Sequence, residues 1–562
     1  MPQPKAPYRK SASALWLLGA AGLSPCVPVL AQMPPDAGTL LQELRPPAAV
    51  LPKADKPVLE IQPPPRKSMA DPGGLLITLR AVRITGMTVF SEAQLLPLVA
   101  DAIGKETGLD GLEDLAARIS RHYREAGYTI ARAYVPAQDI RDGAVELAVI
   151  EGRYSAITIK GGSEAARSSL PLGGIAIGDV VADRPLEQTL LLLSDLPGIT
   201  VHSTLQPGAG IGTSELVIDL EPGKSYSGTV EADNNGGRAT GKYRVGGSLV
   251  VGNVAGYNDV LTLRALSSGK GLAYGRAAWQ FPLSARGAKI GVAASSVRYE
   301  LGREFEALQA HGTANTLSLY GSYPLYRARG ANLNLQANLD EKRLRDDVDS
   351  AASSASKRAT VLNLGISGDR TDGFGGGGVT SFTVSYSRGR LRLEGPALAA
   401  DAATAQTNGG YGKANLTVLR LQNINDRTNL YLSASAQWAS KNLDSSEKTA
   451  LGGPGAVRAY PPGETSSDSA QVFTAELRRT LNRQWQLVGF IDAAHGTLNQ
   501  QRWTAATGPA TRSLSGAGAG LNWANDQGWS VRASYAHRLG SSRATAEADH
   551  GGRFWLSASK AF

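Results

Sequence analysis

The most restrictive feature of this chain is a two-residue alternation that begins near residue 224 and runs to the C-terminus. Ala331-Asn-Leu-Asn-Leu-Gln-Ala-Asn-Leu-Asp340 interleaves apolar and polar residues strictly. Between Arg427 and Trp438, one face carries Leu430, Leu432, Ala434, Ala436 and Trp438, and the other Asn429, Ser433, Ser435 and Gln437. Phe382, Val384 and Tyr386 stand opposite Ser381, Thr383 and Ser385. A period of two is the signature of a strand with unlike faces. A single strand of this kind also fits a half-buried soluble sheet, so the number of strands and the loop pattern must decide.

Strand-like segments lie near 224–234, 240–251, 258–267, 273–282, 288–298, 314–323, 330–340, 359–369, 379–389, 411–421, 427–438, 470–480, 485–494, 515–525, 528–538 and 552–562. They are even in number, and each is about ten residues long, enough to cross a bilayer when tilted. Gaps at 299–313, 341–358, 390–410, 439–469, 495–514 and 539–551 are long, whereas those at 324–329, 370–378, 422–426, 481–484 and 526–527 are short. Long loops on one side and short turns on the other predict a transmembrane antiparallel β-barrel of about 16 strands over 223–562. With both termini periplasmic, 439–469 is the sixth external loop. No interior stretch approaches 18 uninterrupted apolar residues, which argues against helical spans. The last strand ends on Phe562, an aromatic suited to the interfacial girdle, with Lys560 near enough to the barrel end to reach water.

Ahead of the barrel the texture differs. Lys5, Arg9 and Lys10 precede an apolar run at 12–23, and Val29-Leu-Ala31 supplies a small-residue cleavage site, so 1–31 reads as a signal peptide. A lipoprotein signal at Cys26 is the rival, and Pro25 fits it badly. Cleavage after Ala31 removes the single cysteine, which excludes a disulfide framework and thiolate metal sites and suits export. It also takes the formal charge from +9 to +6. The remaining charges are interspersed, with no basic block of the kind that binds nucleic acid.

Residues 32–74 form a Pro-rich linker, densest at Pro63-Pro-Pro65. Within it Asp36 is placed to cap a short helix at 36–45 with Leu40, Leu41 and Leu44 on one side, either a fraying turn or a removable plug. Residues 75–152 read as one small α/β unit. A strand from Leu76 to Ile84 precedes helices near 91–102 and 110–126, and strands Thr129–Val135 and Ala144–Ile150 follow. Residues 153–222 repeat that order in shorter form, with strands at 156–160, 198–206 and 214–221 and a Leu-rich helix at 184–194.

One loop stands out chemically. Leu451-Gly-Gly-Pro-Gly-Ala-Val-Arg-Ala-Tyr460 joins turn formers to a cation flanked by apolar residues, a tip built to insert. Enzymatic signatures are missing. The six histidines show no ligand spacing, Gly-x-Ser-x-Gly is absent, and Gly375–Gly378 lies in a short turn rather than between a strand and a helix. The expectation is a protein that is not an enzyme and holds neither cofactor nor metal.

These features resemble the outer-membrane transporters of two-partner secretion, the haemolysin secretion/activation type within the outer-membrane assembly superfamily. Gly127-Tyr128, Arg132-Ala-Tyr134-Val-Pro136, Gln138 and Glu151-Gly152 resemble the pattern of a polypeptide-transport-associated (POTRA) domain, making 75–152 and 153–222 the first and second POTRA domains. Val457-Arg458-Ala459-Tyr460 resembles the family's lid-loop tip, usually Val-Arg-Gly-Tyr, and Phe490-Ile-Asp492 resembles its F-x-D motif on the thirteenth strand. The resemblance implies that Arg458 pairs with Asp492 inside the lumen. It also implies that Phe562 belongs to a C-terminal signal read by the barrel assembly machinery. Ala459 departs from glycine, which strains the tip if that position needs positive φ. Tyr128 and Tyr134 read as packing residues, and the open sheet edges suit strand addition by an extended partner. The implied role is secretion of an unfolded exoprotein (an adhesin, haemolysin or contact-dependent toxin), driven by its folding outside, from a protein seated in outer-membrane lipid. An assembly factor for other barrels and a passive porin or solute receptor are the alternatives.

Overall fold

The computed structural model describes residues 34–44, 58–61 (backbone only) and 76–562. The signal-peptide reading of 1–31 and the proline cluster at 63–65 lie outside the described residues.

The first α/β unit holds β2 (Ala81–Thr85), α2 (Leu109–Glu125), β3 (Arg132–Tyr134) and β4 (Ala144–Ile150). Here β4 lies between β2, which it pairs in parallel, and β3, which it pairs antiparallel. α2 buries Leu112, Leu115, Ile119 and Tyr123 on this sheet. Gly127, at φ +85°, ends α2 as a left-handed cap. The expected helix at 91–102 is instead one short turn, Glu92–Leu95, followed by two 3-10 turns. Pro97, inside the first of these, cannot donate to a continuing helix.

The second unit holds β5 (Arg153–Gly161), α3 (Asp183–Ser194), β6 (Ile199–Pro207) and β7 (Thr213–Pro222) in the same topology. The linker adds an element that its proline-rich composition hid. β1 (Val58–Ile61) pairs in parallel with β6 from Val58↔His202 to Ile61↔Leu205, covering that edge of the second sheet.

Sixteen antiparallel strands close a barrel. In order they are β8 (Tyr226–Asp233), β9 (Arg244–Gly252), β10 (Val260–Ser267), β11 (Leu272–Pro282), β12 (Lys289–Glu300), β13 (Ala310–Ala328), β14 (Ala331–Val348), β15 (Ser353–Asp372), β16 (Gly378–Leu393), β17 (Gly409–Asn425), β18 (Thr428–Ala439), β19 (Ser469–Thr480), β20 (Trp485–Thr497), β21 (Thr511–Ala524), β22 (Trp529–Arg538) and β23 (Gly552–Ala561). Closure is the β8–β23 ladder, from Thr229↔Ala561 to Asp233↔Ser557. Phe562 extends it by exchanging backbone hydrogen bonds with Gly228 at 3.0 and 3.1 Å. The Lys560 ammonium reaches the Gln527 carbonyl in the neighbouring turn.

The strand alternation has a direct structural meaning. On β20, Val488, Phe490, Asp492 and Ala494 point inward and are buried, while Leu487 and Ile491 point outward and are exposed. Five strands, β13 to β17, are longer than the expected ten residues and run for 16 to 20. The long gap at 341–358 is therefore not a loop: β14 and β15 continue through it, leaving a turn at 349–352. Beyond the bilayer the outward positions turn polar while the ladder continues, so an apolar-out criterion ends these strands too early.

The second unit is bonded to the turn side of the barrel. Arg327 at the end of β13 holds Asp195 at 2.8 Å, and Arg329 holds Glu187 at 3.1 Å. These contacts place the second α/β unit on the short-turn side of the barrel. Among the described residues no helix is long and apolar enough to cross a membrane.

Candidate functional site in the barrel lumen

The loop between β18 and β19 folds into the barrel. Gly453 turns its chain at φ +106°, a conformation that favours glycine. Val457, Ala459 and Tyr460 are buried against Val488, Phe490, Ala494 and Leu514 of the wall. Arg458 makes a two-pronged contact with Asp492: Nε donates to Oδ2 and Nη2 to Oδ1, both at 2.8 Å. The Arg458 amide donates to the same carboxylate at 3.1 Å. Nη1 bonds Glu476 on β19 at 2.7 Å, and the guanidinium lies 3.5 Å over the Phe490 ring. Trp555 of β23 donates to the Arg458 carbonyl at 2.7 Å, and the Tyr460 hydroxyl donates to the Ser542 carbonyl at 2.7 Å.

Asp492 is fully buried, and Thr474 donates to it at 3.0 Å. A planar fork on a carboxylate is the strongest geometry available to an arginine. Desolvating both ions offsets most of that gain, so such a pair fixes position more than it adds stability. Alanine fits at 459 because its backbone does not enter the left-handed region. Its methyl fills the space over Gly516, where an added Cβ would come within 2.6 Å.

A second element occupies the lumen. α1 (Ala37–Glu43) starts at Asp36, whose carboxylate caps the Thr39 amide at 2.9 Å. Leu40, Leu41 and Leu44 pack on Tyr274, Val297, Tyr299 and Leu344 of the inner wall. Lys357 on β15 bonds Asp36 and Asp444, each at 2.9 Å, and so joins helix, lid loop and wall. Gln42 donates to the Ser446 carbonyl, and Gly38 lies so close to the loop that an added Cβ would meet the Ser446 nitrogen at 2.6 Å. Deeper in the loop, Glu447 is held by the buried ammonium groups of Lys342 and Lys413. Below the helix a cavity of about 660 Å³ is lined by polar wall residues such as Asn338, Asn363, Ser385 and Asn415.

The residues of the POTRA pattern sit elsewhere, in the first α/β unit, with Gly127, Glu151 and Gly152 at its joint with the second. Glu151 accepts from the Thr88 and Val89 amides at 2.6 and 2.7 Å and from the Tyr123 hydroxyl at 3.0 Å. Burial opposes its charged form, but bonds from Thr88, Val89 and Tyr123 outweigh that and hold its carboxyl below the ordinary value. The Gly152 carbonyl accepts from Val181 and the Gly127 carbonyl from Asp183, both at 2.8 Å. Gln138 donates to the Glu146 carbonyl at 2.8 Å and accepts from its amide at 2.7 Å, continuing the ladder past β3. Tyr128 packs edge-on to Phe90, Pro136 is half-buried, and Arg132 and Tyr134 are exposed.

Residues 212–523 match the haemolysin secretion/activation protein family ShlB/FhaC/HecB, and 77–152 match the ShlB-type POTRA domain. The chain belongs to this family. It is an outer-membrane transporter of two-partner secretion, with its barrel in the outer membrane and its POTRA domain in the periplasm. It is similar to the heme/hemopexin transporter protein HuxB of Haemophilus influenzae, 27% identical over 84% of this chain and 84% of the relative. It is also similar to the outer membrane transporter CdiB of Dickeya dadantii, 25% identical over 75% of this chain and 76% of the relative. The structure of CdiB from Escherichia coli shares the fold, with a TM-score of 0.69 over 88% of this chain and 92% of that one at 21% identity.

Sequence reasoning missed Glu476, Trp555, Glu447 and the lysines of the transporter's lumen. Parity held the signal for the lysines. Lys342 has the inward phase of Leu344, Lys357 that of Ala359, and Lys413 that of Tyr411.

Proposed function

We propose that the transporter captures an extended exoprotein in the periplasm through its POTRA domains and passes it through the barrel lumen once the lid loop and α1 have moved. The observation that carries this reading is that both elements fill the lumen through non-covalent contacts, apolar packing on the wall and a few ion pairs, that can be undone. Arg458 holds the loop on Asp492 and Glu476, and Lys357 holds loop and helix together. Arg458, Asp492 and Phe490 act as the latch, with Val457 and Tyr460 seating it. Capture proceeds by strand addition to an open sheet edge. The β6 edge carries β1 from the transporter's own linker, so a partner must displace β1 there, use the β5 edge on the opposite side of that sheet, or use an edge of the first unit. Translocation needs no catalytic residue of the transporter, and folding of the exoprotein outside supplies the drive. The name of one relative, a heme/hemopexin transporter, points to a hemopexin-type protein as one class of cargo.

Deleting 76–222 tests the capture step. The barrel still inserts, shown by heat-modifiable mobility on gels, and the exoprotein is lost from culture supernatants. Full secretion without these residues contradicts capture by the POTRA domains.

A further inference from the structure

On β14, β15 and β16 the outward face changes character abruptly toward the external end. On β16 the outward sequence is Phe382, Val384, Tyr386, then Arg388, Arg390 and Arg392, the last three all exposed. On β15 the outward Ile366, Leu364 and Leu362 give way to Thr360 and Arg358, and on β14 Leu335, Ala337 and Leu339 give way to Glu341 and Arg343. Register brings the cations together: Arg343 lies opposite Arg358, and Arg358 opposite Arg392. This end points away from the periplasmic turn where Arg327 and Arg329 meet the second α/β unit.

Like charges placed directly across a ladder are destabilising, so such a row needs compensation. Arg358 has Glu341 at 3.4 Å. Among the described residues, Arg343, Arg388, Arg390 and Arg392 have no ion-pair partner. Beside Arg390 the neighbouring strand offers Gly410, where an added Cβ would meet only a backbone oxygen at 4.0 Å, leaving an open shelf. The patch covers roughly 10 Å across three strands and about 13 Å along β16.

We propose that these five arginines bind a phosphorylated glycolipid of the outer leaflet, its phosphates on Arg343, Arg358, Arg388, Arg390 and Arg392 and its acyl chains on the leucines below. A guanidinium fork matches phosphate geometry, and clustered cations at a membrane border recruit anionic headgroups. The apolar wall directly beneath distinguishes a lipid from a free anion, because only a lipid uses both surfaces. The bound phosphates supply the counter-charge that the arginine row lacks within the protein.

The test uses the full-length transporter in detergent micelles. Native mass spectrometry measures retention of bisphosphorylated lipid A, of its dephosphorylated form and of inorganic phosphate. Two variants are compared, Arg343→Gln/Arg358→Gln/Arg392→Gln and Arg388→Gln/Arg390→Gln, each checked for barrel folding by heat-modifiable mobility. The expected result is at least about fivefold weaker retention of bisphosphorylated lipid A by each folded variant, equal weak retention of the dephosphorylated form, and no retained phosphate. Equal retention by wild type and a folded variant overturns the proposal, as does indifference to the lipid phosphates. Retention of inorganic phosphate alone, or loss of secreted-partner binding with lipid retention intact, assigns the patch to another ligand and also overturns it. Should one variant fail to fold, the other decides.

Discussion

Arg458→Ala tests the latch at its strongest point. The substitution strips Asp492, which has no exposure to water, of two side-chain hydrogen bonds and its only ion-pair partner among the described residues. Glu476 loses one partner but keeps Arg478 at 2.8 Å, so the penalty falls mainly on Asp492. Removing one member of a buried pair costs about 3–5 kcal/mol. At about 1.4 kcal/mol per tenfold, the docked loop becomes roughly 10²- to 10³·⁵-fold less favoured. A reporter can be placed beside it, because Ala459 is buried against Gly516. An Ala459→Cys transporter, with Cys26 also replaced, should react slowly with a water-soluble maleimide. Adding Arg458→Ala should accelerate labelling by at least about a hundredfold. Asp492→Ala in the Ala459→Cys background should act in the same direction, and the double replacement should cost less than the sum of the singles because it leaves no unpaired buried charge. In cells, each single replacement should reduce exoprotein in the supernatant while the barrel still inserts. An unchanged labelling rate, within about threefold, would refute the claim that this pair holds the loop, since the cited penalty requires a far larger change.

Two further perturbations follow from the contacts. Gly38→Val forces a side chain into the Ser446 backbone and should eject α1, raising single-channel conductance of the reconstituted barrel above wild type; unchanged conductance would deny α1 a blocking role. The carboxyl of Glu151 is held low in the folded state, so its contribution is complete above the ordinary carboxylate value of about 4.3 and is lost as pH falls through the lower folded value. Acid unfolding of the periplasmic domains, followed by circular dichroism, should therefore lose part of its pH dependence in Glu151→Gln, and an identical acid curve would contradict this.

The barrel was legible because its signal is local. A two-residue period survives at any register, and the even strand number and alternating loop lengths follow from it. The external halves of β14 and β15 were not legible, because Arg343, Arg345 and Arg358 face outward where a membrane strand would show leucine. The apolar side of α1, with Leu40, Leu41 and Leu44, could be read from spacing, but not its seat on Tyr299 and Lys357, which lie far away in sequence. β1 was hidden for the same reason: four residues in a proline-rich stretch become a strand only by pairing with β6. For the latch, the inward phase of Asp492 with Val488 and Phe490 was readable, and the motif supplied its partner. Glu476 and Trp555 join that site only through barrel closure, which brings strands distant in sequence around one loop.

If the exoprotein travels through the lumen, neighbouring positions on one strand meet it differently. Asn363 faces the polar cavity and Leu364, next to it on β15, faces outward. A photo-crosslinking amino acid is placed at one or the other, and the exoprotein is stalled in transit by a folded domain at its trailing end. Passage through the lumen gives exoprotein adducts from position 363 and none from 364. Adducts from 364 alone, or from neither while secretion proceeds, would contradict it.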